Sequence, residues 1–275
     1  MPSYAITGAS RGIGWELARN LSSDPSNTVI GLVRNKPATD KRVAEELSDR
    51  TNVHILQADI TDLQALKAAA VETAQITGGG LDYLIGNGAF LSTDDAYDPI
   101  SVLDQEDPKK FEALLLTYFQ TNVIGNIHLF STFTPLILKG TAKKVIHITS
   151  GHAYTDLYLD NGVDVSPAYT ISKAAANAAT AKFSAEYSKH GVLFLNVCPG
   201  VVDTGHFDGL TEEQQRKIGP TLKVFAELGG PSFKGPRPVQ DSVKDILAVI
   251  ESKSVANGDG GRFYSHKGDT KTWIS

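Results

Sequence analysis

Among nine tyrosines, only Tyr169 is followed four positions later by a lysine, in "YTISK", Tyr169 to Lys173. On a helix that spacing puts both side chains on one face, one turn apart. A phenol ordinarily titrates at about pH 10. A neighbouring ammonium and a cationic cofactor ring both favour the phenolate. Tyr169 is then a candidate to pass a proton to or from a carbonyl or alcohol oxygen. A solvated surface pair is the common alternative, and the pair alone does not outweigh it. Ser150 shifts the balance. It ends the apolar run "KVIHITS" (144–150), where a hydroxyl at a sheet edge can hydrogen-bond and polarise a substrate oxygen. Asn122, in "TYFQTNVIGN", stands within a long helical stretch. Asparagine is a poor mid-helix residue, so it is expected to hold a water or bend the helix.

A second cluster lies near the start of the chain. "TGASRGIG" (7–14) follows the apolar run "YAI" and opens a helical pattern. A helix N-terminus offers unpaired N–H groups and the positive end of its dipole to an anion. In this stretch Gly8 permits the turn, Gly12 lets backbone approach a pyrophosphate, and Gly14 lets the helix pack against the sheet. Ser10, Arg11 and Ile13 complete the candidate phosphate loop. The G-x-x-x-G-x-G spacing is neither G-x-G-x-x-G nor a P-loop. Arg34 follows "VIGLV" about twenty residues past the glycines, where an acid usually receives the ribose hydroxyls of NAD. An arginine and Asn35 stand there instead. Arg11 and Arg34 together favour a 2′-phosphate, and so NADP(H) over NAD(H).

These groups need elements to hold them. Near-continuous apolar runs at 3–7, 28–33, 53–58, 81–86, 144–149, 192–198 and, more weakly, 261–265 read as strands buried on both faces. Helical patterns separate them, from Gly14, from Asp62, over about 109–138, over 168–189 and from Asp241. This alternation predicts an α/β fold: one Rossmann-like, doubly wound parallel sheet with helices on both faces. At 275 residues, a single domain over 1–275 is expected. Two segments break the rhythm. The polar loop 151–167 carries Tyr154 and Tyr158. The stretch 205–237 reads as turns with a short helix, "TEEQQRK", capped by Thr211. Both leave the sheet edge where ligands bind. They are expected to form a substrate pocket, 205–237 acting as a lid, with Tyr154, Tyr158, Phe207, Leu210, Leu222 and Phe225 as walls.

Composition excludes several classes. A net charge of −5 argues against nucleic acid as a general partner. The single cysteine, Cys198, forms no intrachain disulfide and ends an apolar strand, which suits a buried small residue better than a nucleophile. No run of about 18 apolar residues predicts a membrane span. No charged-then-apolar leader precedes the first strand, so the expected address is the cytoplasm. The seven histidines show no ligand spacing, so no metal is expected. No Gly-x-Ser-x-Gly elbow suggests a serine hydrolase.

Taken in order, "TGASRGIG", "ADI" (58–60), "NGA" (87–89), Asn122, Ser150, "YTISK" and "PGVVDT" (199–204) resemble the short-chain dehydrogenase/reductase family over essentially the whole chain. The string "NTVIGLVRN" and the tail from "FKGPRPVQDSVKDILAVIES" resemble fungal ketoreductases of the norsolorinic-acid-ketoreductase type. The resemblance implies an NADP(H)-dependent oxidoreductase that interconverts a carbonyl and an alcohol. Ser150 would orient the carbonyl and Tyr169 would be the acid or base. Lys173 would hold the nicotinamide ribose and tune Tyr169, and Asn122 would hold a relay water. Asp59 and Ile60 would bracket the adenine. Asn87, with Gly88 and Ala89, would support the sheet and cofactor. Pro199, Gly200, Val202 and Thr204 would lie in the clasp on the nicotinamide amide. Family members commonly pair helices across a two-fold axis, and the Ala-rich stretch 168–189 suits a homodimer or homotetramer. Two departures stand out. The family shows Asn-Asn-Ala-Gly where this chain has "GNGA" (86–89). The gap between Ser150 and Tyr169 is longer than usual. Either the loop carries an insertion, or Thr155 or another residue replaces the serine; the strand-end position favours Ser150. The walls suit a bulky ketone, of the kind found in secondary metabolism. A non-catalytic nucleotide-binding scaffold on the same fold is the rival reading.

Overall fold

The computed structural model describes residues 1–206, 208–271 and 274. Seven strands form one parallel sheet: β1 Ser3–Thr7, β2 Thr28–Val33, β3 Val53–Gln57, β4 Tyr83–Gly86, β5 Lys144–Ile148, β6 Leu193–Cys198 and β7 Phe263–Ser265. Their spatial order is β3-β2-β1-β4-β5-β6-β7. The chain therefore reverses its winding between β1 and β4, which are direct neighbours. In such sheets the crevice at the reversal is where a ligand binds. The expected doubly wound architecture is the one observed.

The strands are apolar on both faces because both faces are covered. One face packs on α3 (Leu63–Thr77) and α6 (Gly125–Ile137), burying Leu66, Leu84, Phe130, Phe133 and Phe194. The other packs on α1 (Gly12–Leu21) and α10 (Val239–Ser252), burying Leu17, Ile85, Ile146 and Ile246.

Four elements differ from the sequence expectation. Two short helices, α2 (Lys36–Glu46) and α4 (Ile100–Glu106), escape a periodicity reading. Only Thr39 is buried in α2 and nothing in α4, so neither carries an apolar stripe. The long stretch 109–138 is three pieces: α5 (Pro108–Tyr118), a π-helical turn (Phe119–Ile124) and α6. The short helix expected after Thr211 runs on as α9 (Glu212–Gly229), past Pro220. Its start is the expected one, since Thr211 and Gln214 form a complete capping box. Short α7 (Asp156–Leu159) precedes α8 (Pro167–Tyr187).

Candidate active site

The glycine turn sits between the carboxyl ends of β1 and β4. Gly8 has φ +68°, and a Cβ there would come within 2.9 Å of the Gly88 Cα. At Gly14 a Cβ would collide with the Gly8 carbonyl and the Asn87 amide. Glycine at both positions is therefore required by turn geometry and close packing. The Asn87 amide donates to the Thr7 carbonyl at 3.0 Å, and Gly88 N–H donates to the Thr7 hydroxyl at 2.8 Å. These bonds tie "NGA" to the glycine turn across 80 residues or so of chain. Ala89 lies beyond them, exposed.

The first turn of α1 has no side-chain cap and no acidic residue. Its N–H groups open onto the loop, which suits the pyrophosphate of a dinucleotide. Ile13 packs at the edge of the adjoining core. Thr204 closes the other side, its methyl 3.6 Å from where a Gly12 Cβ would stand. The segment from Pro199 to Thr204 is held in place from below. Ser242 donates to the Pro199 carbonyl at 2.9 Å, and Val202 bridges to Arg237. Gly200, at φ +81°, passes against the His266 ring.

Arg11, Arg34 and Asn35 are exposed at the mouth of this crevice. Asn35 also has a structural task, accepting from Ala38 N–H as the cap of α2. Asp59 accepts from the Thr61 N–H and hydroxyl in a tight turn after β3. Ile60 is buried, and its side chain and carbonyl lie under Gly125. A residue the sequence did not single out joins them: Arg42 of α2. Its guanidinium lies 4.1 Å from the Trp15 ring centroid, pairs with Glu46, and donates to the Ser10 carbonyl at 3.0 Å. It fastens α2 to the phosphate loop. Its signal was hidden in a helix without apolar periodicity.

The second half of the site lies one strand over, past β4. Tyr169 and Lys173 are on α8 as the spacing predicts. The Lys173 ammonium is 5.9 Å from the Tyr169 ring centroid and donates to the Ile148 carbonyl at 2.8 Å. Ser150 follows β5. Its hydroxyl accepts from His152 N–H at 3.2 Å and hydrogen-bonds the Tyr169 side chain. Thr155, the other candidate for the serine's place, is exposed in the turn leading to α7.

Burial governs the titration of this pair. It pushes the Tyr169 phenol up to about 12, against the lowering from Ser150. It brings Lys173 down to about 8. The neighbouring ammonium was expected to lower the phenol, but desolvation is the larger effect in the protein alone. Cys198 is buried beside both groups, its thiol raised by burial to about 11, which fits a packing residue.

Asn122 is fully buried in the π-helical turn. Its side chain is engaged on all sides. It accepts from Phe90 N–H at 2.7 Å and donates to the Phe90 carbonyl and the Ser172 hydroxyl at 3.0 and 3.1 Å. Its backbone carbonyl accepts from the Asn126 amide at 2.8 Å. The side chain is thus taken up by Phe90 and Ser172 within the π-helical turn, as a residue that shapes the helix would be. The departure at Gly86 fits the same corner: a Cβ there would come within 2.8 Å of the Asn126 side-chain oxygen.

The two irregular segments meet beside this pair. Phe225 of α9 packs edge-on against His152, 6.1 Å between centroids, and His152 packs against Tyr169 at 5.9 Å. Leu157, Val163, Val165, Cys198 and Phe225 form a small apolar cluster, with Tyr158 at its margin. Tyr154 turns to stack on Phe263. Leu222 is exposed and Leu210 half-buried. Phe207 lies outside the described residues. Burial holds the His152 imidazole neutral, with its pKa down at about 4. Among the described residues, no group of three acidic, histidine or cysteine side chains could hold a metal ion. None of their helices is long and apolar enough to cross a membrane.

The glycine turn, the reversal crevice and the Ser150, Tyr169 and Lys173 corner agree with a match to the short chain dehydrogenase family model over residues 3–215. The chain belongs to the short chain dehydrogenases. It is 53% identical over 274 residues to "Short chain dehydrogenase virK" of Hypocrea virens, covering all of both chains. It is 47% identical over 276 residues to "Short-chain dehydrogenase/reductase iacC" of Pestalotiopsis fici, again covering both fully. Among solved structures, an NADPH-bound carbonyl reductase from chicken fatty liver superposes with a TM-score of 0.75, at 25% identity over 99% of each chain. As a short chain dehydrogenase, the chain is an oxidoreductase of a family that uses a nicotinamide cofactor. The uncapped α1 terminus and the space above Gly12 fit such a group.

Proposed function

We propose that this oxidoreductase uses NADP(H) to reduce a bulky ketone or aldehyde to an alcohol, or runs the reverse reaction. The observation that carries the proposal is the convergence of Ser150, Tyr169 and Lys173 at the sheet edge that also holds the uncapped glycine turn. Bound in that crevice, the nicotinamide supplies or accepts the hydride. The chain's own residues handle the oxygen and its proton. Ser150 donates a hydrogen bond to the carbonyl oxygen and polarises it. Tyr169, protonated at neutral pH, gives its proton to that oxygen as the alcohol forms. Lys173 is anchored to Ile148 through one of its three N–H groups, and the others can meet the cofactor ribose.

Arg11 and Arg34 at the mouth support NADPH over NADH, because a 2′-phosphate takes charge-assisted bonds from guanidinium groups. The NADPH carried by the chicken carbonyl reductase agrees with that choice. The aromatic and apolar surroundings of Tyr169, through His152, Phe225 and Tyr158, support a bulky substrate of the secondary-metabolite kind. We assign the cover over it to segment 205–237, of which Phe225 of α9 packs against His152.

The test is a screen of ketones, aldehydes and quinones for NADPH oxidation, with Tyr169→Phe as control. We expect turnover with a bulky carbonyl and a loss of about 10²-fold or more in the variant. Undiminished turnover in Tyr169→Phe would sink the assigned mechanism.

A further inference from the structure

The first turn of α8, which carries Tyr169, is capped from far away in the chain. Its own N-cap residue, Ser166, is left-handed at φ +57° and makes no side-chain cap bond. Pro167 follows and has no N–H. The next two N–H groups, of Ala168 and Tyr169, both turn to the carboxylate of Asp95 in the loop between β4 and α4. The Tyr169 N–H bond is 3.0 Å long. The Asp95 carbonyl also accepts from Ser166 N–H, at 2.9 Å. The other carboxylate oxygen accepts from the Tyr118 hydroxyl at 2.9 Å, and that hydroxyl accepts from Ser92 N–H at 2.9 Å. Asp95 is fully buried, and its partners are N–H and O–H donors with no cation among them. A carboxylate is costly to bury in this way. A helix N-terminus offsets part of that cost through its N–H groups and dipole.

We propose that Asp95 is a positioning residue for Tyr169: its carboxylate caps the catalytic helix, sets where the phenol stands, and adds its charge to the burial that opposes ionisation there. The inference rests on the reading of Tyr169 as the acid. Two links carry it. Through Tyr118, Asp95 joins α8 to the end of α5, just before the π-helical turn that holds Asn122. Tyr118 and Tyr169 lie 6.2 Å apart by ring centroids, and the same carboxylate holds the Tyr118 hydroxyl and the Tyr169 backbone. The second link is electrostatic. Ionising the phenol would place a second negative charge near Asp95, and like charges disfavour each other. The groups facing the phenol from the packed elements are Ser150 after β5, His152 in the following turn, Lys173 on α8, Cys198 of β6 and Tyr118 of α5. Lys173 opposes Asp95, Ser150 assists the phenolate, and the neutral His152, Cys198 and Tyr118 add no charge at neutral pH.

Asp95→Asn separates charge from geometry. Its side-chain oxygen can still accept from Tyr169 N–H, and its amide can donate to the Tyr118 oxygen. The experiment measures kcat/KM for carbonyl reduction against pH in the wild type, Asp95→Asn and Asp95→Ala. The alkaline limb that belongs to the Tyr169 phenol, told apart from the Lys173 limb at about 8 by the Tyr169→Phe titration, should move down by about half a pH unit or more in Asp95→Asn. Ultraviolet difference titration against Tyr169→Phe should show the same shift in the phenol itself. Asp95→Ala should lower kcat at neutral pH by about tenfold or more as the helix start loosens. A purely structural role would lower activity evenly and leave the limb in place, and an unmoved limb and titration overturn the proposal. If thermal melting shows that Asp95→Asn does not fold, Asp95→Ser removes the same charge while keeping a short acceptor, and is read the same way. A wild type whose turnover survives Tyr169→Phe refutes the reading of Tyr169; an active wild type with an unmoved Asp95→Asn limb refutes this inference alone.

Discussion

The proposed cofactor crevice and the proposed catalytic corner are neighbours on one sheet edge, but they are built differently. The crevice is made mostly of backbone. It consists of glycines 8, 12 and 14, the uncapped start of α1 and two exposed arginines, with one amide, Asn87, as a clip. The corner is made of buried side chains tied over long distances. Asn122 holds Phe90, Asp95 holds Tyr169 and Tyr118, and Lys173 holds Ile148. A backbone site tolerates changes at its exposed rim and fails when a glycine gains a side chain. A side-chain site fails when a buried partner is lost, because an unpaired polar group stays behind.

The contrast is testable from both sides. The largest effect is expected at the corner. Lys173→Met should cut carbonyl turnover by about 10²- to 10⁴-fold, the usual range for proton-transfer machinery. It should also stabilise the free protein at pH 7. The folded pKa of Lys173, about 8, lies below the ordinary lysine value of 10.5. The fold thus bears the cost of the buried ammonium below pH 8, and loses it between pH 8 and 10.5 as the folded lysine deprotonates. The gain in melting temperature should be greatest below pH 8 and fade above it. A variant no more stable than the parent at pH 7 would mean that the ammonium is well compensated in place.

Gly14→Ala probes the crevice. The added methyl collides with the Gly8 carbonyl and the Asn87 amide, so the turn must shift. Isothermal titration should show NADPH affinity reduced by about tenfold or more, with α8 and its bonds intact. Unchanged affinity would show that the crevice is less rigid than its packing indicates. Arg34→Asp tests the rim. It should reverse a preference for NADPH over NADH, with a swing on the order of 10- to 100-fold from losing a charge-assisted bond and adding a repulsion. Equal affinities in the parent would remove the 2′-phosphate role.

The smallest effect is expected behind the corner. His147 of β5 is fully buried, bonded to the Asn196 side chain at 3.0 Å, and held neutral with its pKa down at about 3. An unfolded histidine protonates at about 6.5. Stability should therefore fall with pH from about 6.5 towards 3. His147→Asn should flatten that slope, read by urea unfolding at a series of pH values. An identical slope would assign acid sensitivity to other groups, of which His152 is the next candidate.

This difference in construction also explains what could be read from the chain before any fold was known. Strands buried on both faces announce themselves as continuous apolar runs, and α1, α3, α8 and α10 as helical patterns. The glycine turn and the Tyr169–Lys173 spacing are local, so order and periodicity were enough to find them. Ser150 was legible because it ends a strand. Helices α2 and α4 were not legible, since neither needs an apolar stripe to lie on the surface. Arg42 went unseen with α2. The break at Phe119–Ile124 showed only as an asparagine out of place.

The sequence by itself determined the doubly wound sheet, the glycine turn and the shared face of Tyr169 and Lys173 on α8, because each depends on residues a few positions apart. Tertiary structure alone decided that Asp95 caps α8, that Phe90 takes up the Asn122 side chain, and that burial outweighs the ammonium at Tyr169. An aspartate 74 residues before Tyr169 looks like any loop acid in the sequence. Its role depends on which N–H groups the folded backbone brings to it, and on how much water the fold removes.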